Sequence, residues 1–197
     1  PGHEWPYEGV YRVGRRGQIP AGYRVGGTAI VCTALMAAPG FAEDEARRAA
    51  VLRGVELCRE LVQDSPEMAP GPKRGYDVRG WGHAYALRLF VRALDAELVE
   101  GEQAEVLREL VPHLLHCLDV NQTSGGGWNY AGNSCSPFMT GSTLLTLFEV
   151  RELGYEVIKD WRPWSARLAG APAPARAERA GDALGYGRHT GGKCTRR

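Results

Sequence analysis

The sequence lacks any apolar run approaching the roughly 18–20 residues that a membrane-crossing helix needs, so no membrane span is expected. Net charge is nearly absent. Its 24 lysines and arginines against 23 aspartates and glutamates leave +1, which excludes an overall electrostatic draw toward nucleic acid or an anionic lipid surface. No Cys-x-x-Cys pair occurs among its five cysteines, and Cys32, Cys58 and Cys117 fall within apolar runs. They read as buried, reduced thiols, which favours a reducing, cytoplasmic compartment over a disulfide framework. The start at Pro1 carries neither the charged nor the apolar region of a signal peptide, and the missing Met reads as a fragment of a longer chain.

What the sequence does have is 44% hydrophobic residues, arranged in alternating kinds of helix. A nearly all-apolar helix is expected over residues 27–38, closed by Pro39-Gly40. An amphipathic helix is expected over 42–63, with Glu43, Asp44 and Glu45 at the end where the helix dipole favours negative charge. The order repeats with an apolar helix over 82–98 and an amphipathic one over 102–120 that Pro112 should kink. A third apolar helix over 138–153 should stop at Gly154. Gly27, Gly82 and Gly141 recur at nearly equal spacing, the mark of a repeated helical hairpin. Alternation of all-apolar with one-sided helices implies two layers, because only a helix shielded all round can dispense with a polar face. The expectation is thus an all-α repeat domain over 1–157, followed by an irregular Arg/Ala/Pro/Gly-rich tail over 158–197.

Between the second amphipathic and third apolar helices stands Gln122-Thr123-Ser124-Gly125-Gly126-Gly127-Trp128-Asn129-Tyr130, which has the form Q-x-x-x-G-x-W. Related stretches are Arg79-Gly80-Trp81-Gly82-His83-Ala84-Tyr85, Glu4-Trp5-Pro6-Tyr7 with Gly26-Gly27, and Leu184-Gly185-Tyr186-Gly187. The pattern resembles the QW motif of the terpenoid cyclase and protein prenyltransferase superfamily, the squalene-hopene cyclase-like prenyltransferase/squalene oxidase repeats. The resemblance implies an α/α toroid whose inner helices surround a cavity for an isoprenoid chain. With three inner helices, the chain supplies only part of such a toroid, so closure would need self-association or flanking repeats.

On physical grounds the motif reads first as structure. Gly80, Trp81, Gly126 and Trp128 are expected at joints between hairpins, the glycines for tight turns and the indoles as gap fillers, with Gln122 satisfying backbone groups at a helix end. The superfamily's chemistry is not found. No Asp-x-Asp-Asp acid and no Asp-x-Cys zinc element occur, nor does the Gly-Cys-Gly-Glu-Gln element of thioester-containing relatives. A zinc set of Asp77, His83 and Cys135 has no supporting spacing, and His113, His116 and Cys117 lack a further ligand. Cys135 is the thiol most exposed by its polar surroundings. No metal or cofactor is therefore expected, and the catalytic residues stay unassigned.

His83, Tyr85, Asn129 and Tyr130 remain as polar groups where a toroid cavity would open, and they are the candidate ligand contacts. Two functions stand against each other. One is a cyclase-like or prenyltransferase-like toroid that binds an isoprenoid or other apolar ligand. The other is a non-catalytic interaction scaffold, or a truncated repeat segment without activity of its own.

Overall fold

The computed structural model describes residues 4–6, 19–71, 78–123, 126–130 and 135–157. The expected tail over 158–197, the Leu184–Gly187 stretch, Tyr7 and Asp77 lie outside the described residues. Within them all regular structure is helical: α1 (Ala21–Ala37), α2 (Glu45–Asp64), a 3₁₀ turn (Pro66–Met68), α3 (Arg79–Asp95), α4 (Gly101–Val120) and α5 (Pro137–Glu152).

Local chemistry sets the ends of these helices. Asp44 caps α2, its Oδ1 accepting from Arg47 N at 2.9 Å, and Glu45 follows in the first turn. Helix α1 has no cap of its own, and the Glu67 carboxylate reaches from the 3₁₀ turn to accept from Ala21 N at 2.7 Å. Gly154, at φ +89°, terminates α5 with paired bonds from Gly154 N to Arg151 O and from Tyr155 N to Val150 O. The same paired closure ends α3, but there the left-handed residue is Glu97, at φ +48°. Pro112 lies inside α4, which runs unbroken from Gly101 to Val120.

Helix α3 is the centre of the packing. It contacts all four other helices, while α2 packs on α1 and α4 on α3, so the odd-numbered helices are neighbours in the order α1, α3, α5. Leu87, Leu89 and Phe90 of α3 and Leu107, Leu114 and Leu118 of α4 are fully buried, each burial stabilising the fold by about 1.5–3 kcal/mol before entropy is subtracted.

Two expectations change. Helix α1 begins at Ala21 and α3 at Arg79, so Gly26, Gly27, Gly80 and Gly82 sit inside helices, not in turns. At least three glycines serve close approach. A Cβ on Gly26 would lie 2.3 Å from the Trp81 ring, and one on Gly22 2.6 Å from Val78 O. A Cβ on Gly82 would meet the Gly22 Cα at 3.0 Å, so α1 and α3 touch backbone to backbone. The second change concerns α5, expected to be shielded on all sides. Its Met139, Thr143, Leu147 and Val150 are buried, but Phe138 is 85% and Leu145 64% exposed.

Candidate functional site

Residues 122–123, 126–130 and 135–140 build the joint between α4 and α5. Trp128 is fully buried, and its indole Nε1 donates to Leu118 O at 2.7 Å. That carbonyl belongs to the last turn of α4, where the helix supplies no donors of its own. Trp128 N donates to Thr140 Oγ1 at 3.0 Å, and Trp128 O accepts from Ser136 N at 2.8 Å. One residue therefore ties the end of α4 to the beginning of α5. Gln122 closes the turn itself, its Nε2 donating to Gly126 O at 3.0 Å. Gly126 has φ +84°, which favours glycine, and a Cβ on Gly127 would fall 2.6 Å from Thr140 Oγ1. The division of labour is the reverse of the simplest reading: the tryptophan satisfies the helix end and the glutamine braces the loop.

The four candidate ligand contacts do not converge on one surface. His83 is fully buried; its Nε2 lies 2.8 Å from Met68 O and its Nδ1 3.4 Å from Asn121 Nδ2. The carbonyl can only accept, so Nε2 carries the proton and Nδ1 faces the amide donor. The ring joins the 3₁₀ turn, α3 and the end of α4. Asn129 Oδ1 accepts from Tyr130 N at 2.8 Å, and the Tyr130 ring packs, half-buried, against the core. Tyr85 is half-buried on the side of α3 that carries Trp81, with ring centroids 5.1 Å apart and planes 71° to each other.

Helix α3 keeps one half-buried side accessible to solvent. From Arg79 to Leu94, the residues of α3 that keep solvent access are Trp81, Tyr85, Arg88, Arg92 and Leu94, and the first four form a single stripe at helical spacing. Trp81 lies over Gly26 and meets Tyr23 edge-on at 6.0 Å between centroids. Arg88 Nε pairs with Glu149 Oε2 at 2.7 Å, and Arg92 Nε pairs with the other carboxylate oxygen, so one acidic residue of α5 holds two cations of α3. The stripe is aromatic at its N-terminal half and carries one excess positive charge at the other. No sequence motif flags Arg88 or Arg92; their spacing from Trp81 and Tyr85 is the signal that would have found them. Beside α5 a shallow recess, with room for about one water molecule, is lined by Leu144, Leu147, Phe148, Arg151 and Val157.

Among the described thiols, Cys32, Cys58 and Cys117 are buried. Burial pushes the Cys32 thiol up to about 12 and raises Cys58 well above its ordinary range. Burial likewise lifts Cys117 to about 11, and its Sγ lies 3.6 Å from His113 Nε2. His116, by contrast, is exposed. Cys135 is exposed, its Sγ 3.1 Å from Thr123 Oγ1. Among the described residues no three His, Cys, Asp or Glu side chains group closely enough to hold a metal ion. No described helix is long and apolar enough to cross a membrane. Set against known protein families, curated proteins and solved structures, the chain matches none of them.

Proposed function

We propose that the chain is an open stretch of an α/α toroid, with α1, α3 and α5 as its inner layer, and that it binds an isoprenoid-like apolar ligand along the half-buried stripe of α3. The observation that carries this reading is the stripe itself: a helix otherwise buried among four neighbours keeps Trp81, Tyr85, Arg88 and Arg92 accessible. The neighbour order α1, α3, α5, with α2 and α4 packed on them, supports the toroid arrangement.

Trp81 and Tyr85 offer aromatic surface on which an unsaturated hydrocarbon packs. Arg88 and Arg92 share a single carboxylate, so the far end of the stripe favours an oxygen-bearing or anionic head group. The groups identified do binding, and no catalytic step is assigned to them. Of the four candidate contacts, Tyr85 belongs to this surface, while His83, Asn129 and Tyr130 hold the fold around it.

Native mass spectrometry of the full chain with farnesol and with farnesyl diphosphate tests the proposal. A one-to-one complex is expected, tighter for the diphosphate. Tyr85→Ala should weaken both about tenfold or more, and Arg88→Gln should weaken the diphosphate alone. Absence of either complex, or binding indifferent to Tyr85→Ala in a variant with unchanged helicity, would refute it.

A further inference from the structure

We infer that Glu149 sets the head-group specificity of the α3 stripe: it holds Arg88 and Arg92 in place while cancelling one of their two charges, which matches the site to a singly charged anion. The inference rests on the reading of the stripe as a ligand site and names the residue that selects among its ligands. Arg88 and Arg92 stand one turn apart on α3, where like charges repel and destabilise a helix. Glu149, from α5, meets both. Its Oε2 accepts from Arg88 Nε at 2.7 Å and its Oε1 accepts from Arg92 Nε.

Each carboxylate oxygen is thus engaged by an Nε group. Among the described residues, the Nη groups of the two arginines have no hydrogen-bond or ion-pair partner. The side chains of Arg88 and Arg92 are 31% and 29% exposed, against 20% for Glu149, so the cations reach solvent further than the anion that joins them. A guanidinium bonded through Nε keeps its Nη donors for the oxygens of a carboxylate or phosphate.

An anion arriving at those donors meets two fixed cations and one fixed anion. The attraction grows in proportion to the ligand's charge, whereas the cost of taking that charge out of water grows with its square. A site of net +1 therefore suits a single negative charge, and a diphosphate brings further charges that the site leaves unmatched. Removing the Glu149 charge should shift the balance toward the diphosphate, because its repulsion falls most heavily on the more highly charged ligand. A role confined to holding α5 against α3 would make no such distinction.

Calorimetric titration of the full chain with farnesoic acid and with farnesyl diphosphate, which share a tail and differ in head-group charge, tests the inference. The native chain should bind the carboxylate at least as tightly as the diphosphate. Glu149→Gln should tighten the diphosphate about tenfold or more and the carboxylate about threefold or less. Glu149→Asp, which keeps the charge, should keep the native preference. Equal changes for both ligands in Glu149→Gln, or weakening of both, would overturn the inference. Inorganic pyrophosphate, which has no tail, separates it from the isoprenoid reading. If neither farnesyl ligand binds, that reading falls, and tighter pyrophosphate binding by Glu149→Gln than by the native chain still upholds the role of Glu149. Pyrophosphate binding that is absent from both, or equal in both, would then overturn it.

Discussion

At Gly26 and Gly141 the same residue type has opposite physical reasons for being there. Glycine inside a helix costs about 1 kcal/mol relative to alanine, so each must either be compensated or stand as an open opportunity. At Gly26 the Trp81 ring occupies the space a side chain would need, whereas at Gly141 that space is empty. Gly26→Ala should therefore destabilise the protein by about 1–3 kcal/mol through overpacking, and Gly141→Ala should stabilise it by about 0.5–1 kcal/mol. Thermal unfolding of dilute samples checks the pair; stabilisation by both would mean that α1 and α3 do not approach as described. Glu97 makes a third case, a non-glycine residue at φ +48° closing α3. Replacing it with glycine should raise stability by about 0.5–1 kcal/mol, measured by urea unfolding.

At the scale of the element, the α4–α5 joint shows what the motif achieves. Trp128→Phe keeps most of the buried ring but leaves Leu118 O without its donor, which should cost about 1–3 kcal/mol. Gln122→Ala removes only the brace on Gly126 O and should cost about 1 kcal/mol or less. Chemical denaturation of both variants tests this order, and a larger loss for Gln122→Ala would reverse the roles assigned here. The existence, type and sequence order of the five helices were legible from apolar periodicity, as was the stop at Gly154. The starts of α1 and α3 were not, because Gly26-Gly27 and Gly80-Trp81-Gly82 look like turns until another helix lies against them. Helix α5 misled in a different way: a sequence apolar on every side carries no mark of which side has a neighbour.

For the molecule as a whole, burial of thiols between helices couples stability to alkaline pH. Cys32, pushed up to about 12 from an ordinary 9.0, keeps its proton in the folded state when the unfolded chain has released it. Below pH 9 both states are protonated and the contribution is intact; it is lost as pH rises from 9 toward 12. The melting temperature should fall across that window, and Cys32→Ala should lessen the slope even though its melting temperature starts lower. The candidate site was only partly legible, because Tyr85 belongs to a recognisable motif while Arg88 and Arg92 gain meaning only when α5 brings Glu149 to them. The central claim is that the half-buried stripe of α3 is where a ligand binds. Backbone amide shifts followed by NMR during titration with farnesyl diphosphate test it most directly. The account predicts saturable changes concentrated at Trp81, Tyr85, Arg88, Arg92 and Glu149. Changes confined to other helices, or none at saturating ligand, would contradict it.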